Sequence, residues 1–384
     1  MHLKVGLLTT KIIMSTTHTP FVVRFFSATG RTGWVALALF ALLTIVAVPS
    51  SHLLLPVDHA LHMPTFYVTL LGKIMCYAIV AVAMDLIWGY AGVLSLAQGL
   101  FFALGAYAFG MYLMREIGLD GVYQSHLADY MVFLDWKEYP WYWKFTEHFL
   151  YSMMLVIVAP GLLAFVFGFF VFRSRVKGVY FAIISQAMLY AFLLLFFMNN
   201  FGFGGNNGFT DFKRILGYSI TSPEMRATLF ALSASMLMFA LLLGRYLVTS
   251  KFGRILTAIR DAEMRVMFLG YNPLWYKLFI WTLAAIICGV AGALYVPQVG
   301  IINPSEMATA NSIEIAIWTA IGGRGTLIGP AIGAVVVNLS KSWFTVAFPE
   351  YWLYFLGLMF VLVTLLLPQG LVGLYQQLRA RMVR

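Results

Sequence analysis

Long apolar runs separated by short polar segments recur along most of this chain of 384 residues. Runs such as LVIVAPGLLAFVFGFFVF, at 155–172, are apolar on every side. The strands of a membrane β-barrel would instead alternate apolar and polar residues over about ten positions. Since a hydrocarbon core of about 30 Å is crossed by roughly 20 apolar residues in a helix, the pattern predicts helices that span a membrane.

The apolar windows predict an all-α fold, a polytopic membrane helical bundle of about ten transmembrane helices. The windows lie near 34–54, 66–88, 95–114, 149–172, 178–198, 227–247, 275–296, 311–323, 327–346 and 351–373. The window at 311–323 is short and could form a re-entrant pair with the window that follows it. The number of spans could therefore differ from this prediction by about two.

Composition supports the same fold class. Hydrophobic residues make up 61% of the chain and charged residues 10%, against about 25% charged residues in ordinary soluble domains. Too little polar surface is left to cover a soluble protein of this length. Cys76 and Cys288 each lie inside an apolar run, where a free thiol behaves as a small hydrophobe. We therefore predict no disulfide, no metal site and no cofactor.

Basic residues exceed acidic ones, and the formal net charge is +10. In a membrane protein excess Lys and Arg collect in cytoplasmic loops, so we interpret the charge as membrane anchoring and not as nucleic-acid binding. With a cytoplasmic amino terminus, most basic residues fall on that side and the acidic segment 115–148 falls on the other. This distribution predicts two cytoplasmic termini: a tail at 1–33, a transmembrane domain at 34–373 and a basic tail at 374–384.

The most charged part of the chain is the segment 250–273, SKFGRILTAIRDAEMRVMFLGYNP. If 252–269 forms one helix, its apolar and charged residues lie on opposite faces. The apolar face would contain Phe252, Ile255, Leu256, Ile259 and Val266, and the charged face Arg254, Asp261 and Arg265. A surface ion pair between Asp261 and Arg265 is too weak to explain the segment. We expect the apolar face to be buried, either in the bilayer interface or in the groove of another protein.

Within this segment, LTAIRDAEMRVMFLGYNP resembles the cytoplasmic coupling loop of ABC-importer permeases. Ala258, Asp261 and Gly270 match that loop's pattern of an alanine, an acid and, some distance on, a glycine. The resemblance implies that the segment docks into a cleft of a separate ATPase subunit. The predicted coupling residues are Ala258, Arg260, Asp261, Arg265 and Gly270. The chain has no G-x-x-x-x-G-K-[ST] stretch, the motif that binds nucleotide phosphates in ATPases.

Further blocks extend the resemblance over nearly the whole chain after residue 60. They include DLIWGYAGVLSLAQGLFFALGAYAFGMYLMR, GFGGNNGFTDFK and NSIEIAIWTAIGGRGTLIGP. The chain is similar to the branched-chain amino acid (LIV) permease family of ABC importers, and within it most resembles the urea permeases. This implies a subunit of a urea importer, not itself an enzyme, in a bacterial cytoplasmic (inner) membrane. It also implies two ABC ATPase subunits, a second homologous permease subunit and an extracytoplasmic solute-binding protein as partners.

Two acids inside apolar runs, Asp85 and Glu314, are candidate residues of a solute path. A carboxylate near the bilayer centre is disfavoured by about 2.5–3.5 kcal/mol, and each of these acids precedes an Ile-Trp pair and a glycine-rich break. By resemblance, Asp85 is typical of the urea branch, because the wider family usually has Asn there. Each acid could instead reach water at a helix end or sit protonated in a helix contact.

Amide side chains could complete such a path, although asparagines in glycine-rich segments also build turns. The predicted path comprises Asp85, Gln98, Asn206, Asn207, Asn311 and Glu314. Urea has N–H donors, one carbonyl acceptor and no charge, whereas an amino acid brings a carboxylate that favours an Arg or an exposed helix N-terminus at the membrane midplane. No Arg lies deep in a predicted span, so we expect urea. A branched-chain amino acid or a short amide is the alternative.

Three glycines, Gly325, Gly329 and Gly333, are spaced four apart and predict a face for close helix packing. Lys73 lies near the outer end of its predicted span, and we expect its side chain to reach the lipid headgroups. Two other classes of function stay open. A passive urea or amide channel would need no ATPase, and a membrane enzyme would need a reactive group of residues that the sequence does not reveal.

Overall fold

The computed structural model describes residues 33–35, 37–56, 58–59, 61–366 and 370–374, and the described chain is mostly helical. The predicted tails at 1–33 and 374–384 lie outside this range except for Gly33 and Leu374. The longer helices are α1 (Gly33–Leu54), α2 (Thr65–Asp85), α3 (Gln98–Arg115), α4 (Asp129–Phe133), α5 (Phe149–Arg173), α6 (Val179–Phe197), α7 (Pro223–Thr249), α8 (Lys251–Phe268), α9 (Pro273–Val299), α10 (Thr309–Gly322), α11 (Ile328–Ala347) and α12 (Trp352–Leu366).

Several short elements connect them. A π-helical turn, Leu86–Tyr90, continues α2. Single 3-10 turns lie at Gly118–Asp120, Asn199–Phe201 and Pro304–Met307. The strands are β1 (Phe209–Thr210), β2 (Arg214–Ile215), β3 (Tyr218–Ser219) and β4 (Ile301–Ile302).

Six helices in the described chain are long and apolar enough to cross a membrane: α1, α2 with its π-turn, α5, α6, α7 and α9. The other predicted spans correspond to α3, α10, α11 and α12. With 14 residues, α10 is about 21 Å long, which is shorter than a hydrocarbon core of about 30 Å. The all-α membrane bundle is therefore supported, whereas the number of spans and the side on which the termini lie stay predictions.

The core of the bundle is formed by α2, α3 and α9, whose side chains are largely buried. Glycines let α3 and α9 approach closely. A Cβ at Gly105 would lie 2.0 Å from the carbonyl oxygen of Gly289, and one at Gly292 would lie 1.9 Å from that of Phe102. Only hydrogen fits at these positions, so the backbones of the two helices are in contact.

Helices α5, α6 and α7 surround this core and present apolar side chains outward. On α5, Leu150 is 81% exposed and Phe170 is 64% exposed. Large apolar side chains that point away from a packed core need a hydrocarbon solvent. Cys76 and Cys288 are buried free thiols, as predicted from their apolar surroundings.

At one end of the bundle, β1 pairs antiparallel with β4 and connects the segment after α6 to the end of α9. The turn 204–208 precedes β1, and the N–H of Gly208 donates to the carbonyl of Gly204. Gly204, Gly205 and Gly208 all have positive φ, a conformation that glycine adopts without strain. Asn206 and Asn207 are exposed at the tip of this turn.

Helices α10 and α11 form a tightly packed hairpin. A Cβ at Gly333 would lie 2.0 Å from the carbonyl oxygen of Trp318, and Gly329 packs against Gly322. Gly329 and Gly333 therefore pack α11 on α10 within one chain. The predicted helix face is wrong at Gly325. This residue lies in the connecting turn before α11 and has a φ of +79°. We call residues 323–327 the hairpin turn.

Candidate functional site

An ion pair between a buried carboxylate and a half-exposed ammonium joins the two helices of the hairpin. The Lys341 ammonium on α11 donates to both carboxylate oxygens of Glu314 on α10, at 2.8 and 3.1 Å. The Glu314 side chain is 7% exposed and the Lys341 side chain 37%. Lys341 is a cation within the predicted span at 327–346, whereas the expectation of urea rested on the lack of a deep Arg. An apolar environment thus holds both signs of charge a few ångströms apart.

Tyrosines and a second acid extend this polar group. The Tyr77 hydroxyl donates to the Tyr295 hydroxyl, which in turn donates to the Glu306 carboxylate at 3.0 Å. Burial raises the pKa of Glu306 above its ordinary value, although the Tyr295 hydrogen bond acts in the opposite direction. The Lys73 ammonium lies 5.7 Å from the ring centre of Tyr77. Lys73 is partly buried against the rings of Tyr77 and Tyr295.

These residues surround a small cavity, which we call the polar cavity. Its volume is about 30 Å³, and it is lined by Tyr77, Val80, Gly99, Phe102, Glu306, Asn311, Glu314, Ile315, Trp318 and Lys341. The indole N–H of Trp318 is buried without a hydrogen-bond partner among the described residues. A space of this size holds about one water molecule, so the cavity is closed to larger solutes in this conformation.

The structure brings only part of the predicted solute path together. Asn311 and Glu314 both line the polar cavity. Gln98 precedes the lining residue Gly99, but its amide oxygen accepts from the Cys288 thiol at 3.1 Å. Asn206 and Asn207 lie at the tip of the exposed turn 204–208 and do not line the cavity.

Asp85 lies at the opposite end of α2 and binds the hairpin turn. Its carboxylate accepts from the backbone N–H of Gly325 at 2.6 Å and from that of Leu327 at 3.0 Å. Asp85 is 0% exposed. A buried carboxylate that accepts two backbone N–H groups is a structural ligand for the turn, and the same N–H groups would otherwise be unpaired.

The π-helical turn that follows Asp85 makes a second contact with the hairpin turn. The Tyr90 hydroxyl donates to the carbonyl of Gly325 at 2.8 Å, and the Arg324 guanidinium lies 5.2 Å from the Trp88 ring centre. A Cβ at Gly89 would lie 2.7 Å from the Gly325 nitrogen. The glycine therefore allows the two turns to approach, and the end of α2 holds the hairpin turn from several sides.

Helix α8 lies beside this end of α2. It is amphipathic, as predicted, and its buried residues are Gly253, Leu256, Ile259 and Val266. The apolar face packs within the chain against α7, α9 and the π-turn, which neither of the two expected modes of burial included. The prediction of one continuous helix is also wrong, because Ala262 has non-helical backbone angles, φ −154° and ψ 66°.

Arg260 connects α8 to the π-turn. Its guanidinium donates to the carbonyl of Gly89 at 2.6 Å, and its aliphatic part packs against Gly92. The same side chain donates to the Asp261 carboxylate at 2.8 Å. Asp261 thus pairs with its neighbour Arg260. The helical spacing had instead suggested a pair with Arg265. The hydrogen bond from Arg260 holds the pKa of Asp261 below its ordinary value.

Glu263 ties α8 to two further elements. Its carboxylate binds the ammonium of Lys177, in the turn between α5 and α6, and that of Lys277 on α9, each at 2.7 Å. Burial alone would raise the pKa of Glu263, but the hydrogen bonds from both lysines outweigh it and hold the pKa below its ordinary range. The α8 segment is therefore firmly attached to the rest of the chain.

The outer face of α8 and the turn that follows it carry the other predicted coupling residues. Ala258, Asp261, Arg265 and Gly270 are exposed. Three apolar side chains continue this face, namely Met264 (57% exposed), Phe268 (86%) and Leu269 (75%). An exposed apolar group rimmed by charges is typical of a protein contact surface.

Sequence reasoning missed several residues that the structure brings together. Lys341 lies in the window at 327–346, and the cost of placing an ionisable group there is the same signal that found Glu314. Glu306, Tyr77 and Tyr295 carried no signal, because their contacts join segments far apart in the chain. The contact of Arg260 with Gly89 was likewise invisible in the spacing of α8.

The fold and the site define a class of protein, a helical membrane permease. It has a polar, closed cavity among its helices and an amphipathic surface helix at the far end of the bundle. A model of the family described as "Branched-chain amino acid transport system / permease component" matches residues 66–364. The chain belongs to this family.

Individual relatives agree with this assignment. The chain is 25% identical over 320 residues to the high-affinity branched-chain amino acid transport system permease protein LivM of Salmonella typhimurium, covering 78% of this chain and 68% of that protein. It is 26% identical over 328 residues to the probable LivM permease of Methanocaldococcus jannaschii, covering 77% and 90%. For BraD of Pseudomonas aeruginosa the identity is 24% over 311 residues, covering 77% and 91%. No solved structure matches the chain.

The Asp85 contacts predict a loss of stability on substitution. Asp85→Leu should lower the melting temperature of the purified protein, because each orphaned buried N–H costs about 1–3 kcal/mol. Asp85→Asn, which keeps one acceptor, should have an intermediate effect, and Asp58→Leu at an exposed loop position serves as the control. Equal melting temperatures for Asp85→Leu and the control would show that the carboxylate does not hold the hairpin turn.

Proposed function

We propose that this chain is the permease subunit of an ATP-binding-cassette importer for branched-chain amino acids. Its substrate would pass through the polar cavity. The observation that carries the proposal is the Glu314–Lys341 ion pair, with the ammonium bound to both carboxylate oxygens at 2.8 and 3.1 Å. Family membership supports the transport role, and the names of the relatives support the substrate class.

The charges of the polar cavity match those of a free amino acid. Glu314 and Glu306 offer carboxylates to an ammonium group, and Lys341 offers an ammonium to a carboxylate. Apolar and aromatic residues, among them Val80 and Phe102, complete the lining. A zwitterion with an apolar side chain would pair with both ends of the ion pair and pack against these residues.

Urea is the second candidate, favoured by the resemblance of Asp85 and its neighbours to the urea permeases. The physical argument for urea rested on the lack of an Arg deep in a predicted span, and the Lys341 ammonium supplies a cation to the polar cavity instead. Asp85 is also fully buried and bound to the hairpin turn, so it offers little to a solute. These two observations favour a branched-chain amino acid.

Transport would require the polar cavity to open on each side in turn. Its volume of about 30 Å³ is too small for an amino acid, so substrate entry requires the hairpin to move relative to α2 and α3. Alternating access of this kind is typical of transporters whose sites lie among broken helices. The short helix α10 and the non-helical hairpin turn form such a break.

Contacts between α8 and the hairpin offer a route for this movement. Arg260 binds the carbonyl of Gly89, and the adjoining residues Asp85 and Tyr90 bind the hairpin turn. The hairpin in turn carries Glu314 and Lys341. Lys73 lies beside the polar cavity, and Gly89 is the residue that binds Arg260. Along the axis of α2 the two residues are about 24 Å apart, which is the distance that the route has to cover. Movement of α8 would therefore reach the cavity through directly bonded elements.

The proposed importer needs subunits that the chain itself does not contain. One of the two ATPase subunits would dock on α8 through its exposed face, which contains Ala258, Asp261, Arg265, Met264 and Phe268. A second homologous permease and an extracytoplasmic binding protein would complete the complex in a bacterial cytoplasmic membrane. The predicted orientation places α8 and both termini on the cytoplasmic side and the polar cavity nearer the outside.

The substrate is tested by uptake into proteoliposomes that contain the whole importer. We expect ATP-dependent uptake of labelled leucine, inhibited by excess isoleucine or valine and not by urea, because only the amino acids carry both charges. Uptake of urea without uptake of leucine would favour the second candidate. Uptake that persists without ATP would favour a passive channel.

Glu314→Gln tests the polar cavity. This variant should slow leucine uptake by about tenfold or more, because a hydrogen bond to a charged group contributes about 1.5–3 kcal/mol. Glu147→Gln is the matched control, since Glu147 is half-exposed and pairs with Arg115 outside the cavity. Basal ATP hydrolysis should stay unchanged in both variants. A Glu314→Gln importer that works at the wild-type rate would remove Glu314 from the path.

Arg260→Ala tests the route from α8 to the hairpin. Uptake should fall severalfold while basal ATP hydrolysis continues, since the variant loses the bond to Gly89 but keeps the outer face of α8. Asp261→Lys, on that outer face, should also uncouple hydrolysis from uptake. Arg254→Ala, an exposed position on the same helix, is the control. Normal coupling in Arg260→Ala would refute the proposed route.

A further inference from the structure

A second, larger cavity lies between α1, α2, α7 and α11, away from the polar cavity. Its volume is about 460 Å³, and its lining is almost entirely aliphatic and aromatic. Leu237 and Leu241 line it from α7, and Ala331 and Val335 line it from α11. We call it the apolar cavity.

The apolar cavity opens onto the outer surface of the bundle. Ile328 and Ile332 line it from α11 and are 51% and 42% exposed, so the cavity is continuous with the surface that faces lipid. From Arg245 to Leu237 it follows α7 for about 12 Å. Met75, in the middle of α2, marks its deep end. The space therefore runs from one end of the bundle towards its centre, as an acyl chain in a bilayer does.

Arg245 is the only charged residue among the described residues that line this cavity. Its Nε is buried and has no hydrogen-bond partner among the described residues. Near it are Thr326 and Leu327 of the hairpin turn, which also line the cavity. A buried guanidinium donor without an acceptor is unfavourable, and a shift of the partly exposed Arg245 side chain would bring it to an anionic oxygen at the mouth of the cavity.

We propose that the apolar cavity binds one acyl chain of an anionic phospholipid, whose phosphate is held by Arg245. An apolar space of this size excludes polar solutes, and the single cation at its mouth selects a negative headgroup. Basic pockets between transmembrane helices bind anionic lipid headgroups in this way. Guanidinium and phosphate also match in hydrogen-bond geometry.

The bound lipid would contact the hairpin turn as well as α7. Thr326 and Leu327 belong to the turn that Asp85 holds, and Ile328, Ala331 and Ile332 belong to the helix that carries Lys341. The site is distinct from the polar cavity, and its existence does not depend on the transported substrate. It can therefore be tested by lipid binding alone.

The experiment measures lipid retained by the purified, detergent-solubilised full-length chain, using native mass spectrometry. The probes are phosphatidylglycerol, diacylglycerol with the same acyl chains, and inorganic phosphate. We expect one phosphatidylglycerol per chain, bound more tightly than diacylglycerol and not displaced by inorganic phosphate. Arg245→Gln should weaken phosphatidylglycerol binding about fivefold, and Arg173→Gln, at the exposed end of α5, should not.

A second variant tests the acyl chain independently of the charge. Ile332→Trp replaces an aliphatic side chain with a larger indole ring in the apolar cavity, so it should reduce phosphatidylglycerol retention. Because Ile332 is partly exposed, the core should not be disturbed. Equal retention by wild type, Arg245→Gln and Ile332→Trp would overturn the proposal. Equal binding of diacylglycerol, or displacement by inorganic phosphate, would overturn the assignment of an anionic phospholipid.

A photoreactive benzophenone side chain introduced at Ile332 identifies the occupant directly. In membranes that contain the assembled protein, a lipid adduct of phospholipid mass is expected after illumination. A protein adduct, whether with a second copy of this chain or with another subunit, would show that the apolar cavity is a protein interface and would overturn the lipid site.

Discussion

The attachment of the hairpin turn to Asp85 is the interaction on which the rest of the structure depends. The turn 323–327 leaves helical geometry between α10 and α11, and its N–H groups lack partners within a helix. Asp85 supplies both oxygens to Gly325 and Leu327, at 2.6 and 3.0 Å. In a low-dielectric bundle, two unpaired N–H groups and an unpaired carboxylate would each be strongly unfavourable. Joined together, they fix the base of the hairpin against α2.

This attachment explains why a short helix can exist inside the bundle. Helix α10 is about 21 Å long, shorter than a hydrocarbon core of about 30 Å, and a helix end exposed to lipid within such a core is not tolerated. The end of α10 is instead covered by protein: Gly322 packs against Gly329, and Tyr90 binds the carbonyl of Gly325. The hairpin is thus held at its turn by α2 and between its arms by Glu314 and Lys341.

The sequence was informative wherever a signal was local. The period and length of the apolar runs predicted the helices, and the two-faced character of 252–269 predicted α8. The cost of a buried charge singled out Asp85 and Glu314. Such a cost identifies a residue with an unusual partner, but it does not say whether the partner is a solute, a backbone or another side chain. Asp85 has a backbone partner and Glu314 a lysine.

Partners that are distant in the sequence could not be predicted. Lys341 follows Glu314 by 27 residues and Gly89 precedes Arg260 by 171, so no periodicity connects them. The apolar face of α8 was read as a surface for lipid or for another protein, because the helices that bury it belong to separate segments. The kink at Ala262 also carried no sequence signal, since alanine favours a helix.

The ion pair in the polar cavity also has an energetic consequence for transport. Burying the Glu314 carboxylate without a cation beside it would be strongly unfavourable, and the bond to the partly exposed Lys341 ammonium offsets much of its desolvation. A zwitterionic solute can replace each partner with an equivalent charge, so the pair can open without leaving either group unpaired. A neutral amide would leave both charges only partly compensated. For the proposed transport of a branched-chain amino acid, the solute that opens the ion pair at the smallest electrostatic penalty is therefore one that carries both charges.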